Sequence, residues 1–362
     1  MTTEILQTRP RLRYAYDELT NLVEKLGPNA QLPTMVQLRE DLGVSMKTLH
    51  AALRELERQE ILRSVHGVGI YVQPPKKRTL TGNIGFIGSA AFRAQKSPFY
   101  VHIATGVQEA AQQHQRHVML LGTDRNWDVT SFSMVDGLLL SDHSDETNQK
   151  IKHAAPAGMP LVSMFTASEG MSCVLSDDYG GAKLAVRHLL ELGHRRIACL
   201  MATSPLTLRG RFTGYCDALQ AANITVEPDW MRLSDILPPQ GLAHREWAYE
   251  QMEAWLCEGW EKTRCTALLV QNDQAAIGAM QLLQQKGIQI PAQVSVVGFD
   301  GTEICDYASP RLTSVQLPLE QMGREAVNLL VTQIEQEHIE PQTVIVPTRL
   351  HEGDSVAPPT TA

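Results

Sequence analysis

The chain has 362 residues, of which 43% are hydrophobic and 20% charged, and it carries a formal net charge of −8. That length suits about two domains at roughly 150 residues each. The composition excludes disorder over most of the chain, and no run approaches the roughly 18 apolar residues of a membrane span.

Residues 13–26 place Tyr16, Leu19, Val23 and Leu26 at helical spacing, and Gly27-Pro28-Asn29 stops the helix. Residues 34–42 predict a second short helix with Val36, Leu38 and Leu42 as its apolar positions, followed by a turn at Gly43-Val44. Ser45 suits the N-cap of a third helix, in which Leu49, Ala52, Leu53 and Leu56 form one apolar stripe. Two apolar runs, 61–65 and 70–72, flank His66-Gly67-Val68-Gly69, which is a hairpin signal. This order predicts a winged helix-turn-helix over 1–73. The stretch 74–82 opens on Pro74-Pro75-Lys76-Lys77-Arg78 and predicts a linker.

From residue 83 the pattern alternates between apolar strands and amphipathic helices. Strands are predicted at 83–88, 118–122, 137–141, 161–165, 196–201, 267–271 and 294–300. Helices are predicted at 101–115, 180–192, 210–222, 247–257 and 274–286. Such alternation implies an α/β body of parallel sheets covered by helices. About 275 residues exceed one compact core, so two lobes are expected. The expected division is lobe 1 over 83–175 and 317–345, lobe 2 over 176–316 and 346–357, and a tail at 358–362. Charge divides along the same line: residues 1–80 carry a net +3 and the remainder −11. A polyanion would therefore be bound by the head.

None of the six cysteines forms a CxxC pair, and the first residues, MTTEILQTRPRLRYAYDEL, contain no apolar stretch of the secretory kind. Both features predict a cytoplasmic protein with reduced thiols and no zinc site. No metal or other cofactor is expected.

With Leu49, Ala52, Leu53 and Leu56 buried, the third helix presents Met46, Lys47, His50, Ala51 and Arg54 on its opposite face. Lys47 and Arg54 can neutralise phosphates, and Ser45 and Thr48 can hydrogen-bond phosphates or bases. An isolated amphipathic helix would be an ordinary surface helix; the adjacent helix, the tight turn and the wing point to a DNA reader. Residues 32–72 resemble the DNA-binding domain of the gluconate-repressor (GntR) family. The landmarks are Leu32-Pro33, Leu42-Gly43-Val44-Ser45, Ala52-Leu53, Leu56 and Gly67-Val68-Gly69. The resemblance adds Thr34, His66 and Gly67 to the expected DNA contacts. The chain departs from that family at Val36, Met46 and His50, where arginine is common.

The body resembles the effector-binding domain of the lactose/galactose-repressor (LacI/GalR) family, which is itself similar to periplasmic sugar-binding proteins. The landmarks are Ser176-Asp177-Asp178-Tyr179-Gly180-Gly181, Arg211-Phe212-Thr213-Gly214-Tyr215, Asn272-Asp273-Gln274-Ala275-Ala276, Val294-Ser295-Val296-Val297-Gly298-Phe299-Asp300 and Pro310-Arg311-Leu312-Thr313. The pairing of such a body with such a head resembles the arabinose-repressor type of hybrid regulator, which lacks the hinge helix of lactose-type repressors.

In open parallel sheets, ligands bind beyond the carboxyl ends of strands. Asp300 ends one predicted strand, Asn272 and Asp273 follow another, and Arg211 starts a helix after a third. A carboxylate, an amide and a guanidinium converging on one cleft can pair the hydroxyls of a sugar. Taken singly, Asp300 could cap a helix and Arg211 could form a surface ion pair. Thr207 and Arg209 lie on the same loop as Arg211. The resemblance places Phe99 and Tyr100 at the cleft for stacking, although the segment Ser97–Tyr100 also reads as a hydrophobic staple. Phe165 stands where many relatives carry an aspartate, so it would offer stacking instead. Residues 125–135 are short for the helix that normally precedes strand 137–141.

These readings predict a transcriptional regulator, a repressor released from double-stranded operator DNA by a small molecule such as a sugar. A homodimer is expected, with the body supplying most of its interface. The alternative is a cytoplasmic sugar-binding or sugar-modifying α/β protein. No Walker loop, GxSxG or HExxH supports an enzyme, and no catalytic residue is assigned. A solute-binding protein for transport would not carry the head. His188 and His194 lack metal-ligand spacing with a third group and read as ordinary histidines.

Overall fold

The computed structural model describes residues 10–59, 61–65, 67–73, 80–88, 98–122, 132–141, 144–204, 207–235, 243–336 and 340–360. The side chains of residues 24, 207–209 and 243 are not described. The chain forms two compact units, Met1–Thr79 and Leu80–Ala362.

The head contains α1 (Pro10–Leu26), α2 (Met35–Leu42), α3 (Met46–Arg58) and a hairpin of β1 (Leu62–Val65) and β2 (Gly69–Val72). Thr34 caps α2 in a reciprocal box with Gln37, and Gly43 ends it in the left-handed conformation at φ 59°. A side chain at that φ would be strained, so glycine allows the tight turn between the two helices. Leu49, Ala52, Leu53 and Leu56 of α3 pack with Leu12, Ala15 and Leu19 of α1 and with Leu38 of α2. The hairpin gains a third antiparallel segment: Leu32 N donates to Ile70 O at 2.8 Å, and Val72 N donates to Ala30 O at 2.8 Å.

The body holds two six-stranded sheets. The first has the order β13-β7-β6-β5-β3-β4 and is parallel throughout. Its strands are β3 (Asn83–Gly88), β4 (His117–Leu121), β5 (Gly137–Ser141), β6 (Leu161–Met164), β7 (Ser172–Ser176) and β13 (Thr343–Val346). Around it lie α4 (Pro98–Gln113), α5 (Asp145–Ala154) and α12 (Leu319–Glu335). α4 and α12 meet backbone to backbone. A Cβ on Gly106 would stand 1.9 Å from the Glu320 carbonyl, and one on Gly323 would stand 2.5 Å from that of Ile103.

The second sheet has the order β14-β12-β11-β10-β8-β9 and is parallel except for β14. Its strands are β8 (Ile197–Ala202), β9 (Met231–Ser234), β10 (Ala267–Val270), β11 (Ser295–Asp300), β12 (Thr313–Gln316) and β14 (Arg349–His351). The accompanying helices are α6 (Asp178–Glu191), α7 (Thr213–Ala221), α8 (Ala243–Glu258), α9 (Trp260–Thr263), α10 (Asp273–Gln285) and α11 (Ile304–Tyr307). The chain passes between the sheets three times: after β7, after β12 and after β13.

Several elements do not appear among the sequence-predicted ones: helices α5, α9, α11 and α12 and strands β7, β9, β12, β13 and β14. α12 belongs to the first lobe although its residues follow the whole of the second, and it lies over β5, β6 and β7. The abbreviated helix expected near 125–135 falls mostly outside the described residues, as do residues 74–79 of the linker. Among the described residues, no helix is long and apolar enough to cross a membrane.

Candidate DNA-binding face and effector cleft

On α3, Lys47, His50 and Arg54 are exposed, on the face opposite the buried leucines. Ser45 caps the helix: its Oγ accepts from Thr48 N at 3.1 Å and lies 2.8 Å from Thr48 Oγ1. The two hydroxyls thus form a pair at the N-terminus, where the helix dipole favours a phosphate. Met46 is half-buried against the head's core, so its main contribution is packing. Thr34 is turned into its own cap, donating from Oγ1 to Gln37 Oε1 at 2.8 Å. Gly67 occupies the wing turn at φ 74°, and His66 lies outside the described residues. Beside the wing, the Arg63 guanidinium stands 5.6 Å from the Tyr71 ring centroid.

In each sheet of the body the strand order reverses once along the chain, between β3 and β5 and between β8 and β10. Such reversals open a crevice at the strands' carboxyl ends. The second crevice is bridged by Gln271, whose Oε1 accepts from Ala202 N at 2.7 Å. Beside it Thr207–Phe212 winds as a π-helical turn, a form common at functional sites. That turn delivers Arg211, which is only 9% exposed. Its Nε donates to Asp178 Oδ2 at 2.9 Å, its Nη1 donates to the Gln271 carbonyl, and its guanidinium lies 3.9 Å from the Phe299 ring centroid. Nη2 approaches Asp300 Oδ1 at 3.6 Å, beyond hydrogen-bond distance.

Two carboxylates, Asp178 and Asp300, therefore flank the guanidinium, and a third, Asp273, acts on Asp300; the three are not equivalent. Asp178 accepts from Ser176 Oγ as well as from Arg211. Asp273 is buried and accepts from Thr302 N and Oγ1 and from Ser314 Oγ, at 2.8, 3.0 and 2.5 Å. It was expected to contact the effector, but these bonds occupy both its oxygens and tie α10 to the loop after β11. Burial pushes its carboxyl up despite the bonds from Ser314 and Thr302.

Asp300 has no side-chain hydrogen bond among the described residues, and its backbone is held at φ 112°. Non-glycine residues rarely adopt that value, and the cost is about 1–3 kcal/mol. Burial raises its pKa well above the ordinary value; Arg211 opposes the shift, while Asp273 and Asp178 add to it.

Asn272 caps α10 through Oδ1, which accepts from Ala275 N at 2.9 Å, and its Nδ2 lies 3.2 Å from His244 Nδ1. Thr207 and Arg209 share the π-turn backbone with Arg211.

At the first crevice Phe99 is half-buried near the start of α4, 5.3 Å from the Phe165 ring. Tyr100 and Phe165 are 9% and 3% exposed and belong to the hydrophobic core. Of the three rings expected to stack on a ligand, Phe99 is the most open, and Phe165 backs it.

A cavity of about 550 Å³ lies at the lobe crossover, lined by residues that include His102, Asp300, Thr302, Pro318, Glu320 and Thr348. Among the predicted effector residues whose side chains are described, only Asp300 lines it. The polar network around Arg211 lies apart from most of this cavity's lining.

Sequence reasoning did not single out Asp178, Gln271 and His244. Asp178 stood inside a quoted landmark and Gln271 stood next to Asn272, whereas no motif marked His244. His194 is an ordinary buried histidine: Nδ1 lies 2.8 Å from Thr266 Oγ1 and Nε2 lies 2.9 Å from Ala357 O.

Residues 13–72 match the gntR family of bacterial regulatory proteins, and residues 186–356 match the periplasmic binding protein-like domain. The HTH-type transcriptional repressor PurR of Yersinia enterocolitica is 27% identical over 288 residues, which is 76% of this chain and 80% of that protein. The transcriptional regulator CelR in complex with cellobiose has a TM-score of 0.67 at 26% identity, covering 86% of this chain and 91% of the other. A LacI family regulator from Enterococcus faecium with bound ribose has a TM-score of 0.63 at 25% identity, covering 76% and 99%. The fold, the two sites and these likenesses define a ligand-responsive, DNA-binding transcriptional regulator. More specifically, the chain joins a GntR-type helix-turn-helix domain to a periplasmic-binding-protein-like domain, with LacI-family regulators as structural neighbours.

Proposed function

We propose that the chain is a cytoplasmic repressor that binds operator DNA as a homodimer and is released by a sugar held in the cleft of its body. It is a regulator in this reading, and no bond-making step is assigned to its residues. In the head, Lys47 and Arg54 supply affinity through phosphates, while His50 and Ser45 read sequence. In the cleft, Arg211, Asn272 and Asp300 meet the sugar's hydroxyls and Phe99 packs on its ring, with Thr207 and Arg209 beside them. The relatives with cellobiose and ribose support a sugar as the class of effector.

The observation that carries this reading is Asp300. A half-buried carboxylate in a strained conformation, with no side-chain hydrogen bond among the described residues, is an acceptor kept for a ligand. Vicinal hydroxyls can donate to its two oxygens.

The test begins with operator DNA selected by the full chain from a random pool. Fluorescence anisotropy then follows binding across a panel containing D-ribose, cellobiose, D-glucose and L-arabinose. One sugar should weaken DNA binding by about 5- to 150-fold. A sugar that tightened binding would reverse the sign, and consumption of a sugar during incubation would favour an enzyme.

A further inference from the structure

Two amide side chains at the end of β10 have their orientation fixed by the backbone. Gln271 Oε1 accepts from Ala202 N at 2.7 Å, and Asn272 Oδ1 accepts from Ala275 N at 2.9 Å. A backbone N–H can only donate, so each amide must turn its NH2 group the other way. Both NH2 groups then face one atom, Nδ1 of His244, at 3.3 and 3.2 Å. Two donors require a lone pair on Nδ1. The ring is therefore neutral and its single proton sits on Nε2. Burial, with the Arg211 charge acting in the same direction, pushes His244 down to about 4, so the ring stays uncharged at neutral pH. His244 is half-buried in the first turn of α8, and its Nε2 has no partner among the described residues. Nε2 lies across the ring from the wall that Gln271 and Asn272 form.

We infer that His244 is a specificity-determining residue of the effector cleft, an uncharged donor of fixed direction that pairs through Nε2–H with a hydroxyl oxygen of the bound sugar. Asp300 accepts from the sugar and His244 donates to it. An effector must then offer a donor and an acceptor at two fixed places, which discriminates among sugars differing only in the position of a hydroxyl. Because the ring is neutral, this contact adds no charge to attract an anionic effector. The inference rests on the reading of the cleft given above.

The full chain is screened by thermal shift against millimolar D-ribose, cellobiose, D-glucose and L-arabinose, and the most stabilising sugar is titrated calorimetrically. His244→Phe keeps the ring and removes the donor, so it should weaken that sugar about tenfold. His244→Gln restores an NH2 at similar reach and should stay within about threefold of the wild type. In parallel, 15N-histidine spectra, with His244→Gln to assign the signals, should show His244 as the Nε2–H form and its Nε2 resonance should shift when the sugar is added. If no sugar stabilises the wild type, the sugar reading of the cleft fails and this inference falls with it. Equal binding by wild type and His244→Phe would overturn this inference alone. If His244→Phe does not fold, the spectra decide: an Nδ1–H form, or an Nε2 resonance unmoved by the sugar, overturns it.

Discussion

In the head, the groups that face DNA stand on one exposed helix face, and their order comes from near neighbours: Ser45 with Thr48, and Thr34 with Gln37. In the proposed cleft, the candidate effector groups are buried or half-buried and come from β8's following turn, β10, β11 and α8. Two of them are held by residues distant in sequence: Arg211 by Asp178 and Gln271, His244 by Gln271 and Asn272. The head binds a polyanion whose charge is everywhere the same, so solvated cations on a rigid helix suffice. In the proposed reading the cleft must tell one sugar from another, and this requires polar groups fixed away from water. Damage should therefore propagate differently in the two regions.

The largest effect is expected at Arg211. Arg211→Ala leaves Asp178 and the Gln271 carbonyl buried without their partner, and breaking such a pair costs about 3–5 kcal/mol. Urea unfolding should show the body's transition moved down, with the sugar response lost. An Arg211→Ala body of wild-type stability would mean that the network is solvated and that the contrast with the head is overstated.

Next comes the head's own core. Leu49 is fully buried, and Leu49→Ala should cost about 2–5 kcal/mol. In so small a unit that is enough to abolish operator binding, while sugar binding by the body should persist. Loss of both together would show that the two units fold as one.

Asp300 turns the comparison around, because there stability and function should move in opposite directions. Glycine accepts φ 112° without a Cβ penalty, and replacing the side chain also removes a half-buried carboxylate. Asp300→Gly should raise the body's stability by about 1 kcal/mol and remove the sugar response. Asp300→Ala should also lose the response, and both variants should still bind operator. A variant at Asp300 that folds and responds fully would show that the sensor lies elsewhere.

On the exposed face, Lys47→Ala should weaken binding to all sequences alike and lower the salt slope by about one unit. Salt titration against two unrelated DNA sequences measures both. A change of preferred operator with an unchanged slope would place Lys47 among the base readers.

The same contrast explains what the sequence made legible. The stripe Leu49, Ala52, Leu53 and Leu56 and the cap Ser45 are local signals, so the DNA-facing side of α3 followed from spacing. That Asp300 and Arg211 approach each other was legible because strand ends announce themselves. Their supports were not, since nothing local tells that Gln271 reaches Ala202 or that His244 meets two amides. The bonds that hold Asp273 were hidden for the same reason: its partners Thr302 and Ser314 come from other elements. α12 escaped because it returns to the first lobe after the second is complete, and chain order does not show such a return.

The smallest effect concerns the closure of the two lobes. His102 on α4 belongs to the first lobe, and its Nδ1 lies 3.0 Å from Glu320 on α12 of the same lobe. Its Nε2 lies 2.8 Å from Glu303, just before α11 in the second lobe, so the ring links one lobe to the other. Arg324 shares Glu320 at 3.8 Å and pairs with Glu109 at 2.9 Å. Burial lowers the His102 pKa, but the hydrogen bonds and charges of Glu320 and Glu303 outweigh it and the net shift is upward. A raised pKa means that the link's contribution is complete below the unfolded value of roughly 6.5 and is lost as pH rises through the raised value. The bridge is partly exposed, so the effect is modest. If the sugar selects this closed arrangement, its affinity should fall about two- to fivefold between roughly pH 6 and pH 8. His102→Gln should flatten that profile and leave DNA binding in the absence of sugar unchanged. A profile equally steep in His102→Gln would remove His102 from lobe closure and return the pH dependence to the Asp300 cluster.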